Sequence, residues 1–309
     1  MLRRIAVPLD GNPFAEAALP LALAYAARDR ARVTLVTVWR PLPPPQAKSS
    51  WEEERRVWQD EDRARLEQAL HDLAATASTA AGVTADVEVI EGGVDRTLPQ
   101  WAASTDLDLT VMATHARPPI VRAWLGSAAD RMVREGRHPV LLVHPESEEP
   151  DVQVGPATLP RRVLVALDGS RLAERALDES VLGGAAASEV ELVLVRVVPR
   201  AAGVPGYVSQ ADVMNEETLE SLVEEAERHL AEVAGRAGWA RSVETEVVVS
   251  DPVAKAITDV AAARRVDLIA MGTHGRGGFE RAVLGSVADK VMRTAKVPVL
   301  LFPGRGEGE

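Results

Sequence analysis

The chain has 309 residues and a formal net charge of −11, and 46% of its residues are hydrophobic and 26% charged. This length accommodates two domains of about 150 residues with aliphatic cores. The acidic balance disfavours a general nucleic-acid surface, and the lack of cysteine excludes disulfides and thiolate chemistry. We find no apolar signal segment and no run of the roughly 20 apolar residues that a membrane span needs. A cytoplasmic protein without membrane or nucleic-acid partners is therefore expected.

An internal repeat organises the chain. Four pairs of segments match, 158 or 159 positions apart: 5–11 with 163–169, 108–115 with 267–274, 125–133 with 284–292, and 138–145 with 297–304. The acidic, proline-containing segment between the copies has no periodicity and indicates a linker at 147–160. The repeat predicts two domains of one fold, at 1–146 and 161–303, which we call the first and second copies.

Strands and helices alternate in each copy. In the first copy they are predicted, in chain order, at 4–9, 13–28, 33–39, about 51–75, 84–90 and 98–104; in the second copy, at 163–167, 171–182, 190–198, about 212–234, 243–249 and 253–264. A fourth apolar strand, a helix beginning at Gly-Ser and a fifth strand complete each copy. This alternation predicts an α/β fold, with a doubly wound, five-stranded parallel sheet in each copy.

The fifth strand of each copy, HPVLLVHP at 138–145 and VPVLLFPG at 297–304, is apolar and ends its sheet. An uncovered edge of this kind promotes aggregation. The simplest remedy is for the two edges to pair with each other, which predicts an intrachain pseudo-dimer with a pseudo-two-fold axis.

A glycine-rich stretch follows the fourth strand of the second copy: Gly272-Thr-His-Gly275-Arg-Gly277-Gly278, and then Gly285-Ser286. Such a loop before a helix offers a phosphate group backbone N–H donors and the positive end of a helix dipole. If the first and fourth strands are neighbours, the loop and the Asp168 turn face one crevice at the carboxyl ends of the strands. We expect Ser286 to cap the helix at 286–295, with Asp289 completing a capping box.

The spacing Gly272-x2-Gly275-x9-Gly285-Ser286 follows a DLIAMGTHG strand and accompanies an ALDG turn and a terminal VPVLL strand. Together these motifs resemble the ATP-binding branch of the universal stress protein family, here as a tandem pair over nearly all of both copies. The resemblance implies a Rossmann-like fold of the adenine nucleotide α-hydrolase type. It also implies bound ATP, with or without Mg²⁺, across the first and fourth strands of the second copy. Single-domain relatives that dimerise point to the pseudo-dimer and leave a homodimer possible.

The resemblance also implies roles for individual residues. Asp168 would serve the ribose, with Ala166 in the strand before it, and the backbone near Val197 would face adenine. The groups around the phosphates would be Gly272, His274, Gly275, Gly285, Ser286 and Val287. Two roles stay open: His274 either touches phosphate or braces the loop, and Arg276 either neutralises phosphate charge or is solvated.

The first copy departs from this pattern. Its matching residues are Ala113, Ala116, Pro118 and Pro119, although Asp10 and Ser127 are retained. The alanines add methyl groups, with strain of about 1 kcal/mol where φ must be positive. The prolines remove amide donors. Each lost charge-assisted donor could cost roughly 1.5–3 kcal/mol. We therefore expect nucleotide binding in the second copy, and weak binding or none in the first.

The resemblance implies a stress-response protein in which ATP is a regulatory or conformational ligand. The chain lacks a Walker lysine motif and an evident base near a γ-phosphate, so at most slow ATP hydrolysis is expected. One alternative is an adenylating enzyme of the same superfamily, although that class would carry Ser-Gly-Gly where this chain has Asp168-Gly169-Ser170. Another is a scaffold for unidentified protein partners that binds no nucleotide.

Overall fold

The structure is a computed structural model that describes residues 1–41, 52–114, 126–145, 157–200, 216–274 and 284–304. The chain divides into two compact units. The first unit comprises Leu2–His138 and Val143–Leu159, and the second comprises Pro139–Leu142 and Pro160–Glu309 together with Met1. Within the described ranges, no helix combines the length and the apolar character that crossing a membrane requires.

The first unit alternates strands and helices as predicted. In chain order these are β1 (Arg4–Pro8), α1 (Pro13–Glu16), α2 (Leu19–Asp29), β2 (Arg32–Trp39), α3 (Glu52–Ala81), β3 (Thr84–Glu91), α4 (Val94–Ser104), β4 (Leu109–Ala113) and α5 (Ser127–Glu135). Neighbouring strands pair in parallel in the order β3-β2-β1-β4. The helix predicted at 13–28 is interrupted before α2, because Pro20 cannot continue a helix from the preceding turn.

The second unit repeats this order. After the short strand β5 (Val140–Val143), its elements are β6 (Arg162–Leu167), α6 (Arg171–Glu174), α7 (Glu179–Leu182), β7 (Glu191–Val198), α8 (Glu216–Arg236), β8 (Ser242–Val249), α9 (Val253–Ala263), β9 (Leu268–Gly272), α10 (Ser286–Thr294) and β10 (Val299–Phe302). The 3-10 turn Arg175–Leu177 interrupts the helix predicted at 171–182, and a second 3-10 turn, Gly184–Glu189, follows α7. The strands β10-β9-β6-β7-β8 form the expected five-stranded parallel sheet.

Strand β5 belongs to the first copy by sequence, but it pairs antiparallel with β10 in the second unit. Leu141 lies opposite Leu300, and Leu142 lies opposite Val299. All four side chains are completely buried. The predicted pairing of the two apolar edge strands is therefore confirmed for these residues, whereas the pseudo-two-fold arrangement of the whole copies stays a prediction.

Both units hold their first and fourth strands together with the same carboxylate clamp. In the first unit, Asp108 Oδ2 accepts the backbone N–H groups of Arg3 and Arg4 at 2.6 and 2.9 Å. In the second, Asp267 Oδ2 accepts those of Arg161 and Arg162 at 3.0 and 2.9 Å. The clamp aligns the starts of the strands, so that their carboxyl ends emerge side by side.

Candidate functional site

The Asp168 turn at the carboxyl end of β6 is ordered by its own side chains. Asp168 Oδ1 accepts hydrogen bonds from the backbone N–H of Ser170 (2.9 Å) and from its hydroxyl (2.6 Å). Ser170 Oγ in turn accepts the N–H of Ala173 at 3.1 Å and caps α6. Gly169 has a φ of +87°, a backbone conformation that favours glycine. The turn is therefore preorganised before any ligand arrives.

The second carboxylate oxygen of Asp168 stands apart from this network. Oδ2 is buried and accepts no hydrogen bond within the part of the chain that the structure describes. A buried, unpaired carboxylate oxygen is costly, and a ligand hydroxyl would satisfy it. The retained Asp10 forms a similar turn, with Oδ1 accepting the N–H of Asn12 at 3.0 Å, but its side chain is exposed.

Strand β9 lies beside β6. The Asp168 turn and the glycine-rich loop can face one crevice only if these two strands are neighbours. Ala166 of β6 lies opposite Met271 of β9, the residue before Gly272. The φ of Gly272 is outside the left-handed region, and a Cβ placed there would come no closer than 3.4 Å to another atom, the carbonyl oxygen of His274. Backbone strain therefore does not explain why the second copy has Gly272 where the first copy has Ala113. If the glycine matters, it does so by leaving room for a ligand.

The two ends of the glycine-rich loop lie side by side. The backbone N–H of Gly285 donates to the carbonyl oxygen of Thr273 over 2.8 Å. This bond brings the end of β9 to the start of α10, as the predicted phosphate site demands. Gly275 and Arg276 lie outside the described residues, as do Ala116, Pro118 and Pro119 of the first copy. The roles of these five residues stay predictions.

The helix α10 begins differently from the prediction. Gly285 is the N-cap residue, with φ −60° and ψ 141°, and no side chain caps the helix. The prediction that Ser286 is the cap is wrong, because a cap residue needs extended backbone and Ser286 is already helical. Asp289 pairs with Arg293 at 2.9 Å. Among the described residues, no side chain accepts from the first-turn N–H groups, including those of Ser286 and Val287, and such groups favour an anion.

The strand register places the remaining predicted residues on one face of the sheet. Ala166 pairs with Val195 of β7, so Val197, two residues further along β7, follows on the same face, and Asp168 lies in the turn just beyond the end of β6. Ala166 is buried and Val197 is half-buried. The backbone near Val197 therefore lies on the strand next to the Asp168 turn, where the resemblance expects adenine.

The predicted residue His274 contacts groups that the sequence did not single out. Its Nδ1 lies 2.9 Å from Thr273 Oγ1, and the backbone N–H of Gly304 donates to the same oxygen at 3.2 Å. The signal that could have found Gly304 is a difference between the copies: the first copy has Pro145 at the matching position. Proline has no N–H to donate.

A carboxylate lies beside the matching helix start of the first copy. The hydroxyl of Ser127, the first residue of α5, donates to Asp95 Oδ1 over 2.6 Å. Asp95 is the second residue of α4, and the second residue of the matching helix α9 is the buried Ala254. Sequence reasoning missed Asp95, although this exchange of Asp for Ala was visible between the copies.

Among the described residues, no cluster of three or more His, Asp or Glu side chains is arranged to hold a metal ion.

Comparison with known proteins identifies relatives along the whole chain. The model of the universal stress protein family matches residues 1–144 and 160–303. The chain is 29% identical to the universal stress protein Rv2005c of Mycobacterium tuberculosis, over 96% of each chain. A second protein of that organism, Rv2623, is 27% identical over 96% of this chain and 95% of its own. The crystal structure of a universal stress protein from Archaeoglobus fulgidus aligns with a TM-score of 0.65 and 22% identity, covering 97% of this chain and 98% of the other.

Proposed function

Because the chain belongs to the universal stress protein family, we propose that its second copy binds ATP as a regulatory ligand. The observation that carries the proposal is the buried Oδ2 of Asp168, which has no hydrogen-bond partner among the described residues. Asp168 lies in the turn after β6, the strand next to β9. The loop that follows β9 ends at the start of α10, which has no side-chain cap. A nucleotide carries both a hydroxyl that can donate to Asp168 Oδ2 and a phosphate anion that suits the start of α10.

In this proposal each part of the nucleotide meets one element. Asp168 Oδ2 accepts a ribose hydroxyl, and the base lies along the strands that carry Ala166 and Val197. The phosphates are held by Gly272, His274, Gly275, Arg276, Gly285, Ser286 and Val287. A Mg²⁺ that accompanies ATP would take most of its oxygen ligands from phosphate and water, as this ion usually does.

The first copy serves as a structural partner that does not bind the nucleotide. Pro118 and Pro119 replace two amide donors. The carboxylate of Asp95 lies beside the start of α5 and would repel a phosphate there. The proposal also includes a pseudo-dimer of the two copies, a possible homodimer and a cytoplasmic location. An unidentified protein partner would recognise the nucleotide-bound form.

The first test is the content of the purified chain. Denaturing it and chromatographing the supernatant should release about one adenine nucleotide per chain. Intact ATP supports a regulatory ligand, whereas ADP or AMP indicates turnover. Two nucleotides per chain would show that the first copy also binds, and none, together with no binding in an ATP titration, would favour the scaffold.

A matched pair of variants then locates the site. Asp168→Asn keeps the acceptor that Ser170 uses but replaces Oδ2 with a donor, so ATP affinity should fall about tenfold or more. Asp10→Asn makes the same change in the first copy and should leave the affinity unchanged. Equal effects of the two variants would place the nucleotide elsewhere.

A further inference from the structure

Three groups meet where the loop leaves β9. The backbone N–H of Gly304 donates to Thr273 Oγ1 at 3.2 Å, and the same oxygen lies 2.9 Å from Nδ1 of His274. Thr273 is 1% exposed, so its hydroxyl is shielded from bulk water. Its backbone is also paired, with Phe302 through the N–H and with Gly285 through the carbonyl.

These contacts determine which atom of the histidine ring carries a proton. A hydroxyl has one hydrogen to donate, and the Gly304 N–H can only donate to its oxygen. Within the described residues, His274 Nδ1 is the acceptor in reach of the Thr273 hydroxyl hydrogen. A buried hydroxyl is almost always hydrogen-bonded. The hydroxyl therefore donates to Nδ1, and the proton of the neutral ring sits on Nε2.

We propose that Gly304 and Thr273 hold neutral His274 in the tautomer protonated on Nε2, and that this Nε2–H donates to a phosphate oxygen of the nucleotide. The inference rests on the proposed function and deepens it. It also resolves the two roles left open for His274, because one ring nitrogen braces the loop while the other, which has no hydrogen-bond partner among the described residues, donates to the ligand. Thr273 and Gly304 are then positioning residues.

The close packing of Gly304 keeps the ring in place. A Cβ at this position would come within 3.2 Å of both His274 Nδ1 and Leu172 Cδ2. Contacts of this length are tighter than ordinary van der Waals packing, so a side chain here would displace the ring. The glycine therefore allows the end of β10 to approach the histidine closely enough to complete the chain of hydrogen bonds.

The first copy lacks this arrangement although it retains the threonine. Pro145 takes the place of Gly304 and has no N–H. The hydroxyl of Thr114 donates instead to the carbonyl oxygen of Val143 at 3.3 Å, which also accepts the N–H of Thr114. The hydroxyl hydrogen of Thr114 therefore binds a backbone carbonyl oxygen, whereas that of Thr273 orients His274.

The experiment combines imidazole ¹⁵N NMR with ATP titration on the full chain. At about pH 8.5, where imidazole groups are mostly neutral, the His274 signals should show the Nε2–H tautomer. A His274→Gln variant assigns them among the six histidines. Thr273→Val removes the hydroxyl with little change in shape, so the population of the Nε2–H tautomer should fall and ATP affinity should fall about tenfold.

Two further variants separate positioning from folding. Thr273→Ser restores the hydroxyl and should restore both the tautomer and the affinity. Thr114→Val makes the same change in the first copy and should alter neither. Thermal melting of each variant shows whether the fold persists. A loss of stability in Thr273→Val that Thr273→Ser recovers, without any change in tautomer or affinity, would overturn the inference.

The remaining outcomes distinguish this inference from the proposed function. A ring protonated on Nδ1 in the wild-type chain overturns the inference whatever the affinity. If the wild-type chain binds ATP and Thr273→Val binds it equally well, the phosphate contact alone is overturned. A wild-type chain that binds no adenine nucleotide overturns the proposed function, and the phosphate contact with it.

Discussion

The hydroxyl of Ser127 donates to a carboxylate oxygen of Asp95 over 2.6 Å at the start of α5. In the second copy the matching residues are Ser286 and Ala254. The start of α5 thus has a carboxylate from α4 beside it, whereas α9 has an alanine at the position that matches Asp95. This difference supports the proposal that an external anion binds only at α10.

Moving the charge between copies tests that interpretation. Ala254→Asp should lower ATP affinity about tenfold or more, because the new carboxylate would repel the phosphates near Ser286. Ala254→Asn is the matched control: it has nearly the same shape and the same cost of burying a polar group, without the charge. Isothermal titration of both variants makes the comparison. Equal affinities for Asp and Asn would show that the phosphates do not lie near this helix start.

A second prediction concerns the hydrogen bond from Gly285 to Thr273. Gly285 has φ −60°, which proline adopts without strain, so Gly285→Pro chiefly removes the N–H donor. We expect the loop ends to separate and ATP affinity to fall about tenfold. Gly126 has φ −56° at the matching helix start, and Gly126→Pro should leave the affinity unchanged. Tight ATP binding by Gly285→Pro would contradict the assigned geometry.

Acid stability should depend on His138. This side chain is 6% exposed and its Nε2 lies 2.6 Å from Thr110 Oγ1. Burial lowers its pKa from 6.5 to about 4, an effect that the nearby Asp108 carboxylate partly opposes. Below pH 6.5 the unfolded chain therefore binds a proton that the folded chain does not bind until about pH 4. The free energy of unfolding falls across this window as the pH falls, by about 3 kcal/mol in total.

Urea unfolding at pH 7 and pH 5 measures this contribution. Between pH 7 and pH 5 the free energy of unfolding should fall by about 2 kcal/mol more in the wild-type chain than in His138→Val. This variant carries the valine that the second copy has at position 297. His71 is exposed, and His71→Gln should keep the wild-type pH dependence. Identical pH dependence in wild type and His138→Val would refute the assignment.

The pairing of β5 with β10 makes a further prediction. Leu300 is fully buried in a strand that pairs on both sides, with β5 and with β9. Leu300→Pro removes a backbone donor from the middle of the sheet, and the free energy of unfolding should fall by roughly 3 kcal/mol or more. Leu300→Met keeps the donor and nearly the same volume, and should lose less than about 1.5 kcal/mol. An unchanged melting temperature in Leu300→Pro would argue against the pairing.

Much of the fold could be predicted from local patterns. The alternation of apolar strands and amphipathic helices predicted the parallel sheet of the second copy, because periodicity reflects which face each element buries. The expectation that the first and fourth strands are neighbours is confirmed by the pairing of β6 with β9. Helix ends were less predictable. The residue type of Ser286 suggested a helix cap. In the structure the residue with the extended backbone of a cap lies one position earlier, at Gly285.

The glycine-rich segment at 272–286 and its altered copy could be recognised from the sequence alone, because backbone freedom and the number of amide donors are properties of individual residues. The contacts of Asp95, Thr273 and Gly304 could not. Each joins a residue to a partner in another element, and only packing decides whether two such groups come within hydrogen-bond distance. The tertiary structure alone therefore showed that Asp168 Oδ2 is buried with no partner among the described residues and that the Thr273 hydroxyl faces His274.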